Sequence, residues 1–165
     1  MLILGVDPGV ASVGFCVVNY EKSRFQALEY DTFVTKPHQP LEDRLLLIHR
    51  HFEDLFARHA IDSMAVEELF FSKNVSNGIA VGHARGVILL AAALHGVPVG
   101  EYTPMQVKQA VTGYGKADKQ QVQYMIKTIF HLSEVPKPDD TADALAVAVC
   151  HGHYAGSRVN NIRKG

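Results

Sequence analysis

At 165 residues the chain has room for one domain with a single buried core, and too little for the paired domains of an actin-like sugar kinase cleft. A hydrophobic share of 47% and a charged share of 20% exclude a disordered chain, and two cysteines exclude a disulfide scaffold. The net charge of -1 does not advertise nucleic acid, yet it does not exclude it, because an acidic site and a basic rim cancel in the sum.

Leu2 to Asp7 is an apolar run closed by Pro8-Gly9, the pattern of a buried strand entering a turn. Val13 to Asn19 and Phe25 to Val34 predict two further strands, and the three fit an antiparallel meander. After Pro40, Leu41, Leu45, Ile48, Phe52, Leu55 and Phe56 recur every three or four residues, as on an amphipathic helix. Met64 to Glu67 predicts a short strand, Ser76 to His95 a Gly- and Ala-rich helix, and Val97 to Tyr102 another strand. Helices follow over Pro104 to Val111, Lys119 to His131, and Asp140 to about His153. The expected fold is α/β: about five strands in a mixed sheet with helices on both faces, a domain over 1–155 and a loose tail over 156–165. The N-terminus opens on a strand with no charged leader, and Gly86 to Leu94 is too short for the ~20 residues of a membrane span, so a cytoplasmic protein is expected.

Four carboxylates draw attention as a set. Asp7 ends a central strand, where a turn-forming role and a site role are both open. Glu67 and Glu68 are adjacent on a strand and point to opposite faces, so only one can join Asp7. Asp140 and Asp143 share one helix face, where capping is the plain alternative. Four such groups brought together repel unless a cation sits among them. All-oxygen donors suit Mg²⁺ or Mn²⁺, and two such ions can hydrolyse a phosphodiester.

The stretches LGVDPGVASVGF, AVEELFF, HARG, PMQVKQAVTGYGKADKQQVQ and DDTADALAVA, in this order and spacing, resemble the RuvC family of crossover-junction endonucleases from Leu2 to about Tyr154. The resemblance implies a ribonuclease H-like fold, a homodimer, and incision of four-way DNA junctions with two Mg²⁺ per site, Mn²⁺ substituting. It assigns the catalytic, metal-holding acids to Asp7, Glu67, Asp140 and Asp143, choosing Glu67 over Glu68 because it directly follows Ala65-Val66. Some members carry His at the position of Asp140; Asp139 beside it is read as a helix cap. The resemblance also implies the branch-migration complex of RuvA and RuvB as partner.

On the DNA side, Phe70 is the base-contacting aromatic that the resemblance favours, with Lys73 nearby. The loop from Gly113 to Lys119 opens a helix capped by Asp118 with Gln121, a natural phosphate seat. The family pattern supports Lys108 and Lys119 as phosphate contacts; Lys116 and Arg85 add candidate charge. His49, His51, His151 and His153 are read as surface or rim residues, since residues two apart on a helix share no face. Gly78, Gly82 and Gly86 allow close helix approach, either onto the sheet or between two copies. Rival readings are a related RNA-processing nuclease and a junction-binding module without activity. The Phe70 to Lys73 region and the Lys108/Lys119 pair weigh against the first, and four intact acids against the second.

Overall fold

The computed structural model describes residues 1–68 and 75–162, with the side chains of 75–77 and 156–162 left aside. The elements in order are β1 (Leu2–Asp7), β2 (Ser12–Glu21), β3 (Arg24–Val34), α1 (Leu41–Arg58), β4 (Ser63–Glu67), α2 (Val75–Leu94), β5 (Val99–Tyr102), α3 (Pro104–Thr112), α4 (Lys119–Ile129) and α5 (Asp139–Ile162). The strands form one sheet in the order β3-β2-β1-β4-β5, with β1 antiparallel to β2 and parallel to β4. This mixed sheet, with helices on both faces, is the expected α/β architecture.

Strand parity sorts the core into two layers. Ile3, Cys16, Val18 and Ala65 face α3, α4 and α5, while Leu4, Val6, Val13, Phe15, Val17, Met64 and Val66 face α1 and α2. The central strands are buried on both faces, which is why β1 and β4 are nearly continuous apolar runs rather than alternating ones. Helix α5 carries Ala144, Leu145, Ala146, Val147, Ala148, Val149 and Cys150 into one layer. Its small residues bring it close to the sheet. A Cβ at Gly5 would stand 2.4 Å from the Ala144 carbonyl oxygen, and one at Gly14 only 1.9 Å from that of Asp140. Glycine is needed at both places for that contact.

Three expectations are corrected. α5 continues to Ile162, past the stop expected near His153; one glycine such as Gly156 costs a helix only about 1 kcal/mol. β5 begins at Val99, not Val97, because the Val97 amide donates to Ala92 at the end of α2. His51 and His151 are not rim residues. His51 stacks on Phe33 at 4.4 Å and meets Phe15 and Phe52 edge-on, and burial holds its pKa below the usual range. His151 bonds Tyr102 Oη through Nδ1 and Ser63 Oγ through Nε2. Each lies three or four residues from buried positions on its own helix, so the helix turns it inward. Among the described residues, no helix is long and apolar enough to cross a membrane.

Candidate active site

Parity that sorts the core also gathers the acids. Asp7 shares the α5-facing side of β1 with Ile3 and Gly5; Glu67 shares that side of β4 with Ala65. Gly5 pairs with Ala65 in the parallel register, so Asp7 and Glu67 lie side by side at the carboxyl ends of adjacent strands. Glu68 has the opposite parity and is exposed, its amide donating to the Tyr102 carbonyl. Helix α5 begins over this point and lowers Asp140 and Asp143 onto it.

The four groups repel one another through a partly desolvated interior. The Asp7 carboxyl is raised from 3.8 to about 7, first by burial and then by the charges of Asp143, Asp140 and Glu67. Glu67 is raised by burial and by Asp143, with Lys108 opposing. Asp143 is raised by burial, against the pull of Lys119. Burial alone lowers the Lys119 ammonium, but its bond to Asp139 and the field of Asp143 prevail and leave it raised.

Two of the acids are held by neighbours. Ser12 Oγ donates to Asp140 Oδ2 at 2.5 Å. Lys119 Nζ stands 3.0 Å from Asp139 Oδ2 and 3.4 Å from Asp143 Oδ2. Asp139 is therefore not simply a cap: its other oxygen accepts from Gln123 Nε2 at 2.9 Å, and both bonds hold its carboxyl below the usual range. Among the described residues, no three His, Cys, Asp or Glu side chains converge tightly enough to cage an ion as they stand. The donor set nevertheless fits hard divalent ions: it is all carboxylate oxygen, and the charges of Asp143, Asp140 and Glu67 add to burial in raising Asp7.

Beside the acids lies a cavity of about 260 Å³ lined by Glu67, Asp143, Lys108, Lys119, Val107 and Val122. Larger cavities, about 430 Å³ beside Tyr114 and about 840 Å³ beside Phe25, hold none of the four acids, so chemistry rather than size picks the site. Helix α4 opens with the expected box: Asp118 accepts from the Gln121 amide and Gln121 Oε1 accepts from the Asp118 amide. A second box, Thr103 with Gln106, starts α3 and sets Lys108 one turn in. Lys108 and Lys119 thus flank the cavity. Lys116 is exposed on the loop between α3 and α4, away from it and beside Tyr114 and Met105.

Arg85, a candidate for added charge on the DNA side, lies on α2. Its side chain is 15% exposed and paired to Glu101 on β5. Phe70 and Lys73 lie outside the described residues. Ser12 and the Lys119 seat on Asp139 were not foreseen. Period-two reading of β2 holds a signal for Ser12, which shares the α5-facing side with Gly14 and Cys16; nothing local signals that Lys119 reaches across from α4.

Comparison with known proteins gives a consistent outcome. The family model described as crossover junction endodeoxyribonuclease RuvC matches residues 3–151. A protein of Desulforamulus reducens named crossover junction endodeoxyribonuclease RuvC is 53% identical over 157 residues, 95% of this chain and 96% of that protein. The RuvC structure of Thermus thermophilus superposes with a TM-score of 0.89 at 39% identity, over 95% of this chain and 96% of that one. The T. thermophilus RuvC in complex with a Holliday junction substrate superposes at 0.87 and 37% identity, with the same coverage.

Proposed function

We propose that this chain, which belongs to the RuvC family of crossover junction endodeoxyribonucleases, resolves four-way DNA junctions by hydrolysing phosphodiester bonds. The observation that carries the reading is the gathering of Asp7, Glu67, Asp140 and Asp143 at one end of the sheet, with Asp7 raised to about 7 by burial and by the other three acids. An arrangement that unfavourable when empty is suited to holding cations. Asp7, Glu67, Asp140 and Asp143 would hold two Mg²⁺, with Mn²⁺ as substitute. When bound, such ions supply the Lewis acidity for an in-line hydrolysis that leaves a 5′-phosphate and a 3′-hydroxyl.

The chain's own residues orient the substrate. Lys108 and Lys119 flank the acid-lined cavity and offer ammonium groups to the phosphates on either side of the cut. Lys119 exchanges its seat between Asp139 and Asp143 for a phosphate oxygen as the strand enters. Lys116 adds backbone charge farther along the DNA. Phe70 and Lys73 act on the bases at the junction. Arg85 is better read as a brace between α2 and β5 than as a DNA contact, because Glu101 neutralises it.

A four-way junction needs two symmetric nicks, which a two-fold dimer supplies. The outer face of α2 supports such a dimer: Ile79, Leu90 and Leu94 are exposed in line with Gly86, where an added Cβ would meet nothing within 4 Å. Gly86 is therefore not needed for packing on the sheet, which favours the helix-to-helix alternative. The branch-migration proteins RuvA and RuvB are the partners of this reading. The test is incubation with Mg²⁺ or Mn²⁺ on a synthetic four-way junction and a linear duplex of the same sequence. Paired symmetric nicks in the junction alone are expected; equal cutting of the duplex, or none of either, would overturn the proposal.

A further inference from the structure

We propose that Ser12 is a positioning residue that fixes the carboxylate of Asp140 for metal binding, an assignment that rests on the metal-holding reading above. The four acids are not equally restrained. Asp143 is held by a lysine ammonium, a cation that a metal ion displaces. Asp140 is held by a neutral hydroxyl, at 2.5 Å from Ser12 Oγ to its Oδ2. A neutral donor can stay in place when an ion arrives. It occupies one lone pair of Oδ2, fixes the rotamer, and leaves Oδ1 to coordinate.

The geometry around this bond shows how it is built. Ser12 is the first residue of β2 and lies on its α5-facing side. Two residues on, Gly14 lets the backbone of Asp140 come so close that any Cβ would overlap its carbonyl. That approach brings the start of α5 within reach of a short serine side chain. From the next strand, Thr32 Oγ1 bonds Thr141 Oγ1 at 2.8 Å, and Thr141 is buried. The first turn of α5 is therefore tied to the sheet twice: once through a backbone-anchoring hydroxyl pair, and once through the Asp140 carboxylate itself. Only the second tie aims a metal ligand. Without it, the Asp140 side chain regains its rotamers in a field of three like charges, and the repulsion favours turning away from the site.

The test is a calorimetric titration of Mn²⁺ into the DNA-free protein, with thermal unfolding in EDTA alongside. Ser12→Ala is expected to weaken Mn²⁺ binding by about 10–100-fold, the usual effect of removing a hydrogen bond to a ligand. Ser12→Thr, which keeps the hydroxyl, is expected to bind as the parent does. Thr32→Val removes the neighbouring tie without touching a carboxylate and is expected to keep the affinity within about 3-fold. All three are expected to unfold in EDTA within about 3 °C of the parent. Parent-like affinity in Ser12→Ala overturns the assignment, and so does an equal loss in Thr32→Val, which would make Ser12 a mere anchor of α5. An Asp7→Asn protein that binds Mn²⁺ like the parent would overturn the metal-holding reading instead, and this inference with it.

Discussion

Removing the Asp7 charge is expected to stabilise the metal-free protein while destroying its activity. The carboxyl is raised from 3.8 to about 7, by burial first and then by Asp143, Asp140 and Glu67. That rise, at 1.36 kcal/mol per pH unit, is about 4 kcal/mol held against folding at alkaline pH. The sign follows from proton binding. Below about pH 4 the group is protonated in both states and nothing is lost. Between about pH 4 and 7 the unfolded chain releases the proton while the native one keeps it, so native stability falls as pH rises. Above about pH 7 both are ionised and the full penalty stands. Asp7→Asn keeps the size and drops the charge. With water reaching the site and relaxing part of the repulsion, about 2–4 kcal/mol should be regained near pH 8, a rise of about 6–12 °C in Tm for a chain of this length. Near pH 4.5 the gain should shrink to about a quarter of that. The assay is calorimetric unfolding in EDTA at both pH values, repeated with Mg²⁺ near pH 8. Saturating Mg²⁺ should raise the Tm of the parent and leave the variant unmoved. A variant no more stable than the parent near pH 8 would refute the reasoning, since the four acids would then not be frustrated without a cation.

Strand parity predicts opposite fates for two adjacent glutamates: Glu67→Gln should lower the junction cleavage rate by at least about 100-fold, while Glu68→Gln should stay within about 3-fold, as single-turnover rates would establish. Gly14→Ala should cost at least about 3 kcal/mol in urea unfolding, because its Cβ would stand 1.9 Å from a backbone oxygen that cannot move without carrying the start of α5 with it. Lys119→Ala should weaken duplex binding and flatten the log-log salt slope by about 0.9, the loss of one phosphate contact; an unchanged slope would remove Lys119 from the DNA face.

Much of the fold is legible locally. The apolar runs of β1 and β4, the three-and-four spacing of Ile48, Phe52 and Leu55 on α1, and the Asp118-Gln121 box all follow from period and turn chemistry, which act within a few residues. The end of α5 is not legible locally because helix ends depend on small differences that tertiary contacts overturn, and the start of β5 shifts because the Val97 amide is taken by Ala92. The inward turn of His51 and His151 is hidden for a related reason: a two-residue spacing rules out a shared ligand but says nothing of whether the helix face is buried.

The acids, their motif order and the parity that separates Glu67 from Glu68 are legible in the chain alone, because strand alternation is a local property of the backbone. What holds them emerges when distant elements pack together. Ser12 meets Asp140 across 128 residues of chain, and Lys119 reaches Asp139 and Asp143 from another helix. Packing also pairs Arg85 of α2 with Glu101 of β5. The contact of Ser12 with Asp140 depends on how closely α5 lies on the sheet at Gly5 and Gly14, a distance that is set when elements pack and that no local spacing encodes.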